Sequence, residues 1–333
     1  MGELTARSKD AISSFGERLS SIIIAPALRA RGIHAELVDS RSFVITNHHF
    51  TEATPDMVET ESRIQKDLLP IVKAGRVPIA QGFIGSTPEG ITTTIGRGGS
   101  DYTAAILGAS LRADAIEIWT DVDGLMTVDP RVVPAAKRIR LLSFDEAAEL
   151  SYFGAKVLHP STVLPAIERS IPVHIFNTLN PDCEGTLIVP EPRRSKNTIK
   201  SIAFKRGVTV VNISSPRMIA AHGFLRSVFE IFDRHHTSID VVTTSEASIS
   251  VTLESAQRLD AIRHDLGEIS NVTVESGRAI VCVVGDNLKF TPGVAGRLFA
   301  ALKDVNINMI SQGASEINVT FVINDGEIDK AVR

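Results

Sequence analysis

The stretch Thr94-Ile95-Gly96-Arg97-Gly98-Gly99-Ser100-Asp101 sets one arginine among three glycines and follows it with a hydroxyl and a carboxylate. Glycine lets a backbone approach a ligand closely and take angles that side chains forbid. Small residues behind the loop, among them Ala104, Ala105, Leu107 and Ala109, predict a helix from Tyr102 to Arg112. The first amides of such a helix are unpaired and favour an anion. A guanidinium grips a carboxylate through two parallel hydrogen bonds. Arg97, supported by Ser100, therefore suits a small carboxylate ligand. The plainer alternative is a glycine-rich surface turn with an incidental arginine.

Two further stretches carry candidate chemistry. Thr120-Asp121-Val122-Asp123-Gly124 follows a predicted strand ending at Trp119, and Asp129-Pro130-Arg131 makes a second turn. Carboxylates at the C-terminal end of a strand stand where α/β folds bind ligands, here a nucleotide's ribose or amino groups. Asx-turns are the commoner use of Asp before Gly and stay open as a reading. In Gly154-Ala155-Lys156-Val157-Leu158-His159-Pro160, Lys156 is placed to reach a phosphate or simply to complement a helix dipole. His159 before proline reads as structural. No His/Cys cluster has zinc spacing, no nucleophile elbow is present, and no metal site is assigned.

The elements that must position these residues alternate between strand and helix from about residue 10 to 189, the pattern of an α/β layer fold. Strands are predicted at 77–80, 91–95, 116–119 and 173–176. Ser143-Phe144-Asp145-Glu146 forms a capping box, opening a helix that runs to Phe153 and stops at Gly154. Residues 190–200 are polar and proline-punctuated and read as a linker. Beyond it lies a repeat. Gly223-Phe224-Leu225-Arg226-Ser227-Val228-Phe229 recurs 70 positions later (293 against 223) as Gly293-Val294-Ala295-Gly296-Arg297-Leu298-Phe299. The same offset pairs Ile239 with Met309 and Ser245-Glu246 with Ser315-Glu316. Two copies of one βαββ unit are the economical explanation.

At 333 residues and 43% hydrophobic content the chain is long enough for two or three domains. A net charge of -4 and dispersed basic residues argue against nucleic-acid binding, and no apolar run approaches the roughly 20 residues of a membrane span. The N-terminus lacks a signal-peptide pattern. Cys183 and Cys282 read as two reduced thiols. A cytoplasmic protein is expected.

The motifs Ser14-Phe15-Gly16-Glu17, Gly96-Arg97-Gly98-Gly99-Ser100-Asp101, Trp119-Thr120-Asp121-Val122-Asp123-Gly124 and Tyr152-Phe153-Gly154-Ala155-Lys156-Val157-Leu158-His159-Pro160 occur in the order seen in aspartate kinases. The repeated tail resembles that family's paired ACT regulatory domains, so the similarity covers nearly the whole chain. The resemblance implies a three-layer αβα amino-acid-kinase fold over residues 1–189, then two interleaved α+β, ferredoxin-like ACT units over 201–333, the first near 207–255 and the second near 277–325.

It also implies the reaction of ATP with L-aspartate to 4-phospho-L-aspartate and ADP, on the route to lysine, threonine and methionine, with Mg2+ accompanying ATP. In this reading Arg97 holds the α-carboxylate with Ser100, Glu17 meets the ammonium, and Asp101 orients a phosphate-binding lysine. Thr120, Asp121, Met126 and Arg131 match the nucleotide site, with Lys156 and Val157 lying against the nucleotide. By resemblance to lysine-sensitive members, Met218, Gly223, Phe224, Leu225, Asp240, Ser245 and Glu246 surround an effector, L-lysine. Ala221 stands where such relatives often carry serine, and the alternative for Phe224 and Leu225 is ordinary packing. Pairing of ACT units implies a homodimer.

The family's opening Lys-Phe-Gly-Gly strand, which cradles the ATP phosphates, has no counterpart before Glu17, and Lys9 is in the wrong context. The expectation is a fragment lacking that segment, of low activity, or alternatively a catalytically silent amino-acid-binding subunit.

Overall fold

In the computed structural model, which describes residues 4–154, 163–191, 198–219 and 222–333, the chain divides into two units. One comprises Met1–Leu125, Arg140–Ala148 and Lys156–Pro192, and the other Met126–Ile139, Glu149–Ala155 and Arg193–Arg333. The first unit begins with α1 (Ala6–Ala30), started by Thr5, whose hydroxyl accepts from the Ser8 N–H at 3.1 Å. There follow β1 (Ala35–Leu37), α2 (Met57–Asp67), α3 (Leu69–Lys73), β2 (Val77–Ile79), β3 (Ile84–Ser86), β4 (Thr92–Thr94) and α4 (Gly99–Leu111). Next come β5 (Ile116–Thr120), β6 (Leu141–Ser143), α5 (Phe144–Tyr152), whose residues from Glu149 onward are counted in the second unit, α6 (Leu164–Glu168), β7 (Val173–Asn177) and β8 (Thr186–Val189). β1 and β2 pair in parallel, β3 and β4 antiparallel, and a four-stranded mixed sheet runs β5-β7-β8-β6.

The predicted strands appear as β2, β4, β5 and β7. The capping box is made in both directions: Ser143 N–H donates to Glu146 Oε2 at 2.8 Å, and Glu146 N–H donates to Ser143 Oγ at 3.0 Å. One helix start differs from expectation. α4 begins at Gly99 rather than Tyr102, so Ser100 and Asp101 occupy a helical first turn instead of a loop. The reason is Gly98, whose left-handed φ of 73° lets it act as N-cap three residues earlier than the small-residue run suggests. α4 is buried around most of its circumference, including Gly99, Thr103, Ala105, Ile106, Gly108 and Ala109, which fits its small, apolar composition.

α1 docks through polar groups. Its buried positions are Asp10, Ser14, Ser21 and Ala25, while Ile12, Phe15, Leu19, Ile22 and Ile23 lie exposed. Ser21 Oγ accepts from Gln81 Nε2 at 2.7 Å, and Gln81 Oε1 in turn accepts from the Ser40 N–H at 2.8 Å. Buried polar groups of this kind are tolerated because each finds a partner.

The second unit contains β9 (Ile199–Ser214), α7 (Phe224–Arg234), β10 (Val242–Thr244), β11 (Ser248–Leu253), α8 (Leu259–Gly267), β12 (Asn271–Gly285), α9 (Val294–Ala301), β13 (Ile307–Gln312), β14 (Asn318–Asn324) and α10 (Ile328–Val332). β9 starts within the stretch expected to be linker. One six-stranded sheet runs β10-β11-β9-β12-β14-β13, so the two copies mirror each other about the antiparallel β9–β12 pair. The 70-residue repeat is visible in the backbone: Gly223 and Gly293 cap α7 and α9 with φ of 90° and 79°, and Gly207 and Gly277 share a φ of 71°. Near those last glycines the β9–β12 register shifts.

Each long strand thereby serves two cores. Val211 and Ile213 of β9 pack with Phe224, Val228, Ile249 and β12's Val272 and Val274. Ile202 and Phe204 of β9 pack with β12's Val281 and Val283, Phe321 and Ile328. Each of the two cores thus takes in half of a long strand whose other half belongs to its neighbour.

Among the described residues, no helix is long and apolar enough to cross a membrane. The two cysteines are free, and their environments differ. Burial in the β12 core pushes the Cys282 thiol up to about 12, whereas Cys183 is half-buried in a loop. Reactivity follows the thiolate. A thiol reagent at pH 8 is therefore expected to modify Cys183 and leave Cys282 untouched until denaturant is added. Equal labelling of both in the native protein, read by peptide mass mapping, would contradict the packing described.

Candidate active site

The site is built on the joint between α1 and β4. Asp10, only 1% exposed, accepts from the Thr94 N–H at 2.9 Å and the Thr94 hydroxyl at 2.8 Å, and from the Thr51 N–H at 3.0 and 2.9 Å. It fastens α1 to the end of β4, from which the Ile95–Gly98 loop departs. Glu17 lies seven residues further along α1, about two helical turns, and so on the same face as Asp10. That register brings Glu17 to a cleft of about 420 Å³ lined also by Phe83, Gly96, Arg97, Gly98, Gly99, Ser100 and Asp101.

Every residue expected to bind substrate is thus in one cleft. Among the described residues, neither the Arg97 guanidinium nor the Glu17 carboxylate has a hydrogen-bonding or ion-pair partner. No side chain caps the first turn of α4. A free cation, a free anion and uncapped amides around one small volume are complementary to a zwitterion carrying an additional carboxylate.

Phe83 is the cleft residue that the sequence reading missed. Its φ of 68° is unusual for a side-chain-bearing residue. Its N–H donates to Thr103 Oγ1 at 3.1 Å and its carbonyl accepts from the Ile95 N–H at 2.9 Å. A Cβ added at Gly99 would meet the Phe83 ring at 3.0 Å, so glycine there lets α4 close down on this wall. The flanking glycines in Gly82-Phe83-Ile84-Gly85 were the available signal.

Asp101 sits half-buried in the first turn of α4, and burial raises its carboxyl above the ordinary value of 3.8. A raised carboxylate pKa means that ionisation opposes folding. The cost is absent below the unfolded value, grows as pH rises through the interval up to the folded value, and is complete above it. Asp101→Asn is therefore expected to be more stable than the parent at pH 7 and indistinguishable from it below pH 3.5. Urea midpoints at the two pH values test this, and a variant less stable at pH 7 would show that Asp101 has a stabilising partner instead.

At the end of β5, the Thr120 hydroxyl donates to Asp121 Oδ1 at 3.2 Å, and Asp121 is exposed. Trp119 stacks on Phe176 with ring centroids 4.9 Å apart. Asp123 has a structural role, accepting from Asn177 Nδ2 at 2.7 Å and Asn180 Nδ2 at 3.2 Å. Met126 and Arg131 belong to the second unit. There the Met126 carbonyl accepts from Ser201 Oγ at 2.8 Å, and Arg131 is paired with Asp129 at 2.7 Å on an exposed turn. Lys156, Val157 and His159 lie outside the described residues.

Residues 2–177 match the amino acid kinase family and residues 281–333 the ACT domain. The chain is 40% identical to the lysine-sensitive aspartokinase 3 of Escherichia coli, over 97% of its own length and 74% of that protein. The chain belongs to the aspartokinase family. It is 41% identical to chloroplastic aspartokinase 1 of Arabidopsis thaliana, spanning 61% of that longer relative. Among solved structures, E. coli aspartokinase III in complex with aspartate and ADP superposes with a TM-score of 0.87 at 39% identity, covering 99% of this chain and 75% of that one.

The residues expected to surround an effector fall in and around the core formed by Val211, Ile213, Val228 and Ile249. Phe224, 9% exposed, and the partly buried Met218 pack into it, while Leu225 is 44% exposed. Ser245 shapes the β10–β11 turn, its hydroxyl 2.6 Å from that of Ser248 and accepting from the Ser248 N–H at 3.1 Å. Glu246 is exposed beside it. Asp240 is engaged by two groups that sequence reasoning did not assign: the Tyr152 hydroxyl at 2.9 Å and Lys205 Nζ at 3.2 Å. Ala221 lies outside the described residues.

Proposed function

We propose that the Glu17–Arg97 cleft binds L-aspartate for phosphoryl transfer from ATP, and that the first ACT unit binds L-lysine as feedback effector. The kinase part runs over 1–189 and the regulatory part over 201–333. The observation that carries the catalytic reading is the pair of opposite charges, unpartnered among the described residues, at a cleft of about 420 Å³ beside the uncapped turn of α4. Arg97 takes the α-carboxylate in a two-pronged grip with Ser100 donating beside it, and Glu17 takes the ammonium. With both ends of the amino acid fixed, its side-chain carboxylate is the group left to react. A carboxylate oxygen forms a bond to the γ-phosphorus, the bond from that phosphorus to the bridging oxygen breaks, and ADP leaves with the electron pair.

Such a transfer depends on positioning and on neutralising charge. Asp101, disfavoured as a lone carboxylate by its burial, is suited to hold a lysine near the phosphates. By likeness to the aspartokinase motifs, Thr120, Asp121, Met126, Arg131, Lys156 and Val157 are the residues assigned to contact the nucleotide. The described residues include no group of three or more His, Cys, Asp or Glu placed to hold a metal. A Mg2+ that arrives on ATP would keep phosphate oxygens and water among its ligands. Pairing of ACT sheets makes a homodimer the proposed assembly.

The test is calorimetric titration with L-aspartate and L-glutamate. L-aspartate is expected to bind at least tenfold more tightly, because the extra methylene of glutamate displaces either the reacting carboxylate or the gripped one. Equal affinities, or preference for glutamate, would move the chain to another amino-acid substrate.

A further inference from the structure

The Asp240 carboxylate presents an unusual arrangement. Its side chain is 5% exposed, and Oδ1 receives both the Tyr152 hydroxyl and Lys205 Nζ. Oδ2 is buried with no hydrogen-bond partner among the described residues. A buried carboxylate oxygen without a donor is uncommon and asks what completes it.

Lys205 is held from three sides. Its ammonium is 3.2 Å from Asp240, 3.2 Å from Glu254 and 4.8 Å from the centroid of the Tyr152 ring. The two carboxylates differ in setting, because the Glu254 side chain is 71% exposed. Lys205 therefore spans an inner, nearly dry carboxylate and an outer, solvated one, and has somewhere to go if the inner one is claimed by another cation.

We propose that Lys205 is a specificity-determining residue of the effector site: its ammonium competes with that of the ligand for Asp240 and so sets how strongly a cationic amino acid binds. The inference rests on the effector reading above and deepens it. The free Oδ2 is the acceptor that receives the incoming ammonium. Lys205, while on Oδ1, neutralises the charge that attracts the ligand and repels it as a like charge a few ångströms away. Binding of L-lysine accordingly shifts Lys205 toward Glu254. A ligand of the same shape without the side-chain ammonium does not meet this competition.

Titration calorimetry with L-lysine and with L-norleucine, which is lysine without its side-chain ammonium, tests the proposal. Lys205→Met is expected to bind L-lysine at least tenfold more tightly than the parent while norleucine affinity stays within threefold. Lys205→Met leaves Asp240 without its cation, so Lys205→Gln, which keeps a donor and discards the charge, serves as a second variant and should shift lysine affinity in the same direction. Tighter lysine binding in the variants supports the proposal even where the parent binds too weakly to measure. If the parent binds lysine and both variants bind it equally or less tightly, Lys205 merely supports Asp240 and the proposal fails, with the effector reading intact. Absence of lysine binding by parent and variants alike defeats the effector reading and the proposal together.

Discussion

Arg97→Ala is expected to weaken L-aspartate binding by about 30-fold to about 1000-fold while leaving ADP affinity within threefold. The range corresponds to about 2–4 kcal/mol, the usual cost of removing one member of a close, hydrogen-bonded charge pair. Among the described residues, Arg97 is the one cation lining the cleft and has no competing protein partner. Its loss therefore abolishes an interaction made only with ligand, and the fold should be untouched. Arg97→Lys should fall between the two, since it retains the charge but loses the planar fork that engages both carboxylate oxygens. Calorimetric titration of the three proteins decides the matter. Unchanged aspartate affinity in Arg97→Ala would remove the substrate assignment, and a parallel loss of ADP affinity would relocate Arg97 to the nucleotide.

Asp10→Ala is expected to lower the unfolding free energy of the first unit by about 3–5 kcal/mol, because each buried donor left without its acceptor costs about 1–3 kcal/mol. Three donors lose their acceptor at once: the N–H and hydroxyl of Thr94 and the N–H of Thr51. Thr94 is 3% exposed, so water does not readily take over. Asp10→Asn retains one carbonyl acceptor and should lose about half as much. Because Thr94 leads directly into the Arg97 loop, Asp10→Asn should also weaken aspartate binding several-fold although it touches no ligand. Urea unfolding followed by far-UV circular dichroism measures the first effect. A loss below about 1 kcal/mol in Asp10→Ala would mean that α1 is held by its other contacts.

Much of the architecture is local and therefore written in the chain order. The β4–α4 loop announces itself because three closely spaced glycines are entropically costly to order. The Ser143/Glu146 box is readable because capping involves residues three apart. The repeat is readable because equivalent backbone positions need the same residue: Gly223 and Gly293 occupy the same left-handed cap. Glu17, Arg97, Ser100 and Asp101 were nameable through the motifs they share with aspartokinases.

Other features depend on contacts between residues far apart in sequence, and no local pattern encodes those. Asp10 looks like any solvated acid on a helix until the fold brings Thr94 to it, 84 positions away. The start of α4 at Gly99 depends on a backbone angle at Gly98 and on the Phe83 wall that closes over it. Asp123 resembles a ligand-facing acid by position, yet the 177–180 loop consumes it through Asn177 and Asn180. Tyr152 and Lys205 give no sign in sequence that they meet at Asp240, 88 and 35 positions away. The ordered motifs, through their likeness to those of aspartokinases, thus indicated which chemistry the chain carries. The tertiary structure decided which charges are left unpaired for a ligand and which are taken by the protein itself, because pairing depends on distances of about 3 Å that only the folded backbone sets.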